Sequence, residues 1–186
     1  MTAHQPGQLD AGTAGVRSTS PVPQGTPQPG RYEIDTTRSA VTFRTRHMFG
    51  LAPVRDSFAI RAGTVDVAAP RTDPGIYAEI EAASFRTGNG QRDSVVRSAR
   101  LLDAGQHPVI TFRSERLDGL ALTGALTVRD VTRRVSLSIE QPAVSSGSFT
   151  ARAATRIDRT AFGVTAYRGL AGRYLDMTVE VRCVRT

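Results

Sequence analysis

The segment Tyr174–Val184, "YLDMTVEVRCV", alternates apolar and polar residues with a period of two. Its apolar residues share one face of an extended chain: Leu175, Met177, Val179 and Val181. Successive side chains of a strand point to opposite sides, so this pattern predicts a strand with one buried face and one exposed face. Such strands are typical of antiparallel sheets.

The same period recurs along the chain from residue 31 onward and indicates about eight strands. The other segments that show it are 41–47, 58–61, 76–81, 110–113, 120–128, 135–140 and 149–158. Closing eight antiparallel strands into a barrel pairs every strand edge. We therefore predict an all-β fold, an extended eight-stranded antiparallel barrel, with a two-sheet sandwich as the alternative.

Several inward positions of these strands carry small residues, namely Ala78, Ala151, Ala153 and the pair Gly124 and Ala125. Small inward groups leave space inside an eight-stranded barrel, which can then hold one ligand. They can equally interdigitate with larger side chains in a filled core. The pattern leaves both outcomes open.

Residues 1–30 are rich in Gly, Pro, Ser, Thr and Gln, and we predict that they form a disordered tail before a barrel domain at 31–186. The tail has no basic segment followed by an apolar one, as a signal peptide would have, so we expect a cytoplasmic protein. No window approaches the roughly 18 apolar residues of a membrane-spanning helix. The single cysteine, Cys183, cannot form an intrachain disulfide.

One segment interrupts the strand pattern and predicts a short helix over about residues 94–102, "SVVRSARLL". Asp93 stands before it as a candidate N-cap, and Val95, Ala99 and Leu102 recur at helical spacing. We expect this helix to lie near an open end of the barrel, because its apolar stripe needs a wall to pack on. Arg92, Arg97 and Arg100 would then offer charged donors to an anionic group.

No residue pattern in the chain indicates catalysis. The three histidines form no metal-binding motif, and the esterase and dinucleotide-binding motifs are absent, so we expect no metal, no cofactor and no enzyme activity. His47 beside a carboxylate is the one candidate for a general base in a hydrolase or isomerase. The net charge of +7 comes from 24 arginines scattered singly along the chain, which argues against nucleic-acid binding.

Four blocks in order give the chain a resemblance to the YceI-like family, lipocalin-like proteins that bind polyisoprenoid lipids. The blocks are "YEIDTTRSAVTFRTRHMFG" at 32–50, "SFRTGNGQRDSVVRSARLLDAGQHPVITFRSE" at 84–115, "GALTVRDVTRRVSL" at 124–137 and "DRTAFGV" at 158–164. The likeness covers about residues 31–184. Tyr32 stands where the family usually has tryptophan, and Asp56 and Arg129 stand where it often has glycine. Many members of the family are secreted or periplasmic.

The resemblance implies an elongated apolar pore with the polar end of the lipid near its opening. The apolar positions that we expect to line the pore are Phe43, Phe58, Ile80, Phe112, Leu126, Phe149, Phe162 and Met177. The family's signature positions match His47, Arg92 and Asp93, and with Arg97 these are the expected head-group residues.

The expected function is binding, transport or storage of a long-chain isoprenoid lipid, of the quinone or polyprenyl phosphate type. The alternative is an interaction or stress-response module with a filled barrel and a basic binding face. We expect the lipid or quinone to be the partner and no nucleic acid to bind. A transient membrane contact and a homodimer stay open.

Overall fold

The alternating segments form ten antiparallel strands in the part of the chain that the computed structural model describes. That part comprises residues 25–47, 52–68, 74–168 and 171–186, with backbone alone described at 45–47 and 52–56. The strands are β1 (Gly30–Ile34), β2 (Ala40–His47), β3 (Ala52–Val67), β4 (Gly75–Glu81), β5 (Val109–Asp118), β6 (Ala121–Val128), β7 (Val131–Ile139), β8 (Ala143–Ser145), β9 (Ser148–Asp158) and β10 (Tyr174–Arg185). One α-helix, α1 (Gly90–Arg97), and two short 3-10 helices, Ala82–Ser84 and Arg159–Phe162, lie in the same ranges.

The strands close into a barrel of eight positions, as predicted. The pairing runs β2-β3-β4-β5-β6-β7-β9-β10, and β10 returns to β2. The closing pair aligns Val41 with Val179 and Phe43 with Met177. The two remaining strands extend existing positions, since β1 pairs with β10 and β3 beyond the end of β2, and β8 pairs with β9 beyond β7.

The inward faces are those that the period of two predicts. On β10 the alternate residues from Leu175 to Val181 point into the barrel and line its interior, while Asp176 pairs outside with Arg156. Both faces of each strand thus have an environment that suits them, the apolar face inside and the charged face in solvent.

The strand ends away from α1 pack around a small aromatic and thiol cluster. Tyr32 and Phe149 meet edge to face with their ring centroids 5.0 Å apart, and both are buried. Cys183 beside them is fully buried, and this burial raises the pKa of its thiol to about 12. The cysteine therefore packs as a small apolar residue, as its place on a strand predicts.

The helix differs from the prediction in its bounds and in its cap. It spans Gly90–Arg97, and Asn89 is the N-cap, whose side chain accepts a hydrogen bond from the Arg92 backbone N–H. Asp93 lies in the first turn instead and is buried. The chain leaves the helix at Ser98, so Leu101 and Leu102 reach the interior from the loop that follows.

Within the described ranges, three connections meet at the helix end of the barrel: 82–108 between β4 and β5, the turn 129–130 between β6 and β7, and 159–173 between β9 and β10. Arg129 in the two-residue turn has φ of 55°, which favours glycine there because an L side chain is strained in the left-handed region. His107 joins two of the connections by lying 3.4 Å from the Asp130 carboxylate.

Residues 25–29, at the end of the predicted tail, lie against the barrel. The Gly25 N–H donates to the carbonyl of Pro142 at 3.1 Å, and the Arg185 guanidinium donates to Gln28 and Pro29. The predicted disorder of 1–24 falls outside the described residues. Within the described ranges no helix has the length and apolar character needed to cross a membrane.

Candidate functional site

The barrel interior contains two adjacent apolar chambers, each with a volume of about 150 Å³. Chamber 1 lies at the helix end and reaches Val96 and Phe162, while chamber 2 lies toward the other end and reaches Ile34 and Phe149. Five residues line both, and they form a ring where the chambers meet: Val41, Ile80, Leu126, Ile157 and Met177. The chambers therefore follow one another along the barrel.

All eight predicted pore residues lie on the walls of these chambers. Phe43, Phe58 and Phe162 line chamber 1; Phe112 and Phe149 line chamber 2; Ile80, Leu126 and Met177 belong to the shared ring. That these side chains contact a ligand stays a prediction.

A cluster of three phenylalanines shapes the wall of chamber 1. Phe43 and Phe58 stack with centroids 5.5 Å apart, and Phe85 lies 5.3 Å from Phe58. The walls of both chambers are almost entirely apolar. Such a cavity favours hydrocarbon over water, because water there would lack hydrogen-bond partners.

The small inward residues have two different roles. Ala78, Ala151 and Ala153 line chamber 2 and leave its volume open, as one of the two alternatives from sequence required. Gly124 instead accommodates a neighbour, because a Cβ atom there would lie 2.5 Å from the Phe112 ring.

The four expected head-group residues separate into different environments. Arg92 lines chamber 1 and is half-buried, and no described residue accepts a hydrogen bond from its guanidinium. The side chain of His47 lies outside the described residues. Asp93 and Arg97 are absent from the described chamber walls.

Asp93 and Arg97 fasten α1 to the chain before it. The Asp93 carboxylate accepts from the Thr87 backbone N–H at 2.9 Å and from its hydroxyl at 2.7 Å. The Arg97 guanidinium donates to the Phe85 carbonyl, with Nε at 3.2 Å and Nη2 closer. The i,i+4 spacing of the two residues does not produce an ion pair, because each finds a backbone partner upstream.

Arg159 is the residue of this region that the sequence reasoning missed. Its guanidinium is buried and donates to four backbone carbonyls of the segment 163–172: Val164, Ala166, Ala171 and Gly172. Burial lowers the pKa of Arg159, yet arginine stays protonated at any physiological pH. Its position in the block "DRTAFGV" was the available signal, but the block does not show where the side chain points.

Residues 164–166 and 171–172 thus surround one cation, and Val164, Ala171 and Gly172 form part of the wall of chamber 1. Asp158, just before Arg159, accepts two hydrogen bonds from Arg173 at 2.9 and 2.7 Å. These bonds hold the pKa of the Asp158 carboxyl well below its usual range. Arg159 and Arg173, at the two ends of the connection 159–173, thus both hold it in place through hydrogen bonds.

The described residues contain no group of three or more histidine, cysteine and acidic side chains placed to hold a metal ion. Among their titratable groups, the chamber walls carry none but the arginines Arg92, Arg152 and Arg159. The arrangement can enclose an apolar chain, and Arg92 can meet a polar group at its end.

Comparison with known proteins identifies relatives across the whole barrel. A UPF0312 protein of Pectobacterium atrosepticum is 28% identical over 166 residues, which cover 83% of this chain and 85% of that protein. The protein YceI of Escherichia coli is 32% identical over 114 residues, 57% of this chain and 59% of that protein.

Two solved structures share the fold. BcnA of Burkholderia cenocepacia superposes with a TM-score of 0.67 at 20% identity and covers 82% of this chain and 99% of its own. A domain of Saccharophagus degradans, described as polyisoprenoid binding, gives 0.67 at 15% identity and covers 83% of this chain and 98% of its own. The family model for the YceI-like domain matches residues 32–184, so the chain belongs to the YceI-like family.

Proposed function

We propose that this protein binds an isoprenoid chain in its two chambers and stores or transports it without catalysing a reaction. The observation that carries the proposal is the pair of adjacent apolar chambers, since a filled barrel would leave no such volume. The likeness to a polyisoprenoid binding domain adds to it.

The chain would enter chamber 1 and pass the shared ring into chamber 2. Met177 lies in that ring, and its unbranched side chain changes rotamer readily, so it can admit a chain. A chamber of this volume is similar in size to an engineered cavity that binds benzene, so the two together take roughly twelve carbons, about two to three isoprene units. Any further carbons would lie outside the chambers.

The chain-length dependence of binding tests the proposal. We expect prenyl alcohols to bind with an affinity that rises from one isoprene unit to about three and then levels off, because each buried CH₂ contributes about 0.8 kcal/mol before chain ordering is subtracted. Isothermal titration without detergent, with native mass spectrometry of the complex, measures it. No saturable binding at any length would refute the function, and a continued rise would refute the assigned length.

Arg92 is the residue that we propose to contact the polar end of the ligand. Its carbon chain lies on the wall of chamber 1, and its guanidinium has no acceptor among the described residues, so it is available for a phosphate. A charge-assisted hydrogen bond contributes about 1.5–3 kcal/mol. We expect Arg92→Gln to weaken binding of geranyl phosphate about tenfold or more and to leave geraniol binding unchanged.

The matched control is Arg100→Gln, which removes an exposed arginine eight residues further along that does not line the chambers. Equal losses for the phosphate and the alcohol would mean that Arg92 contributes packing alone. Equal losses in the two variants would assign the effect to net charge. Binding of a quinone should not change in either variant, since a quinone carries no phosphate.

A further inference from the structure

The net charge of this protein is concentrated at one end of the barrel. The three described connections at the helix end, 82–108, 129–130 and 159–173, carry eight arginines, three aspartates and no glutamate, a net +5 of the chain's +7. The described connections at the other end, 35–39, 119–120, 140–142 and 146–147, carry two acidic residues and one arginine, a net −1. We call the first set of connections the basic end.

The three aspartates of the basic end are occupied within it. Asp93 accepts from Thr87, and Asp103 and Asp130 both flank His107, at 4.0 and 3.4 Å. Their charges are included in the net +5, so the excess of positive charge at this end remains after these carboxylates are counted.

Three exposed arginines of this end have no carboxylate partner among the described residues: Arg86, Arg100 and Arg168. The Arg100 guanidinium donates a long hydrogen bond to the Tyr167 hydroxyl, at 3.4 Å. Their exposed guanidinium groups create a positive electrostatic potential at the surface, which attracts anions.

Chamber 1 lies directly beneath these charges. The basic end supplies Val96, Leu101, Phe162 and Val164 to its wall. Tyr174, where β10 begins, is half exposed next to Arg173, whose guanidinium lies 5.1 Å from the centre of its ring. Arginine and tyrosine around an apolar interior match the chemistry of a bilayer surface, where phosphates lie above hydrocarbon.

We propose that the basic end docks on an anionic lipid bilayer, with chamber 1 facing the membrane. The docking rests on the charge distribution, while its purpose, loading of an isoprenoid chain, rests on the proposed function. A nucleic acid would also present phosphates, but its single-stranded form is held by several exposed aromatic side chains. Tyr174 is the one exposed large aromatic residue in the described ranges.

Vesicle flotation tests the docking. We compare phosphatidylcholine vesicles with equimolar phosphatidylcholine–phosphatidylglycerol vesicles, both free of isoprenoids, at low and high salt. The expected result is binding to the anionic vesicles, lost as salt rises, and little binding to phosphatidylcholine. Binding that ignores the anionic lipid would overturn the proposal.

The deciding variant combines Arg86→Gln, Arg100→Gln and Arg168→Gln. Each basic residue near an anionic surface contributes about 1 kcal/mol, so the vesicle partition coefficient should fall about a hundredfold. The matched control combines Arg38→Gln, Arg61→Gln and Arg116→Gln, which removes the same charge from arginines with side chains 58–73% exposed elsewhere. The control should lose less than about threefold.

Equal losses of vesicle binding in the two triple variants would refute the assignment of docking to the basic end, because net charge alone would then explain the binding. Salt-dependent binding to single-stranded or duplex DNA without binding to anionic vesicles would assign the basic end to nucleic acid instead. The prenyl-alcohol titration in solution is independent of vesicles. Vesicle docking without prenyl binding would support the docking and refute the proposed function. Prenyl binding without vesicle docking would support the proposed function and refute the docking.

Discussion

Replacing Arg159 by methionine lowers the free energy of unfolding by about 3–4 kcal/mol, the largest effect on stability that we expect from a single residue here. The buried guanidinium donates to four carbonyls, with Nη1 at 2.6 Å from Val164 and Nε at 2.8 Å from Gly172. Methionine fills similar space but donates nothing, and each carbonyl left without a donor costs about 1–3 kcal/mol where water cannot replace it. Relief from burying a charge offsets part of that loss.

Urea denaturation measures the change as a lower midpoint with an unchanged slope. Arg156→Met is the matched control, because Arg156 lies three residues earlier and makes an exposed ion pair with Asp176 at 2.6 Å. That pair should contribute no more than about 1 kcal/mol. Equal destabilisation by both substitutions would refute the role given to Arg159.

A conservative variant keeps the test informative if Arg159→Met does not fold. Arg159→Lys retains the charge but offers a single nitrogen in place of three, so it can reach only some of the four carbonyls. Its stability should fall between the wild-type protein and the methionine variant. A lysine variant as stable as the wild type would show that the charge matters and the shape of the guanidinium does not.

Filling chamber 2 with Ala153→Phe should abolish the gain in affinity from the longer prenyl chains while making the protein more stable. Ala153 lines chamber 2, and a phenyl ring has about the size of the chamber, comparable to the cavity that binds benzene. About six ligand carbons then lose their site, roughly 5 kcal/mol before ordering costs, so affinity for a three-unit alcohol should fall at least about a hundredfold. Filling the cavity should raise the unfolding free energy by about 0.5–2 kcal/mol.

Titration of the Ala153→Phe variant with one-, two- and three-unit prenyl alcohols measures the change in affinity. The affinity should stop rising at the chain length that fills chamber 1. Ala154→Phe is the control, because Ala154 is the next residue on β9 and faces solvent. That variant should bind every length as the wild type does. Unchanged binding of the three-unit alcohol by Ala153→Phe would mean that chamber 2 takes no part in the site.

The strand faces and the barrel could be predicted from sequence because the alternation of side chains along a strand is a local property. Leu175, Met177 and Val179 point inward for the same reason that Asp176 points outward, and no distant residue is needed to explain it. Eight such strands have few ways to bury one face and pair every edge. Seven of the eight pore residues lie on strands and follow from the same argument, while Phe162 reaches the wall of chamber 1 from the 3-10 helix Arg159–Phe162.

The helix was predicted less well, since its N-cap was expected at Asp93 and the structure places it four residues earlier, at Asn89. Asn89 and Asp93 both suit an N-cap, and the choice depends on Thr87, whose N–H and hydroxyl engage the Asp93 carboxylate. That engagement moves the start of the helix toward Asn89. The expected roles of Asp93 and Arg97 at a head group came from the family resemblance and from their place at the helix, and neither shows which backbone groups compete for these side chains.

The sequence by itself determined the alternation of apolar and polar residues and hence the inward faces, since each depends on neighbours a few residues apart. It favoured the barrel over the two-sheet sandwich because eight such strands have few ways to pair every edge. Only the tertiary structure decided that the interior holds two chambers, that Arg159 organises the segment 163–172, and that the arginines of three separate connections gather at one end. These features arise where residues far apart in the chain meet, and what meets there is determined by strand pairing and barrel closure rather than by any local pattern.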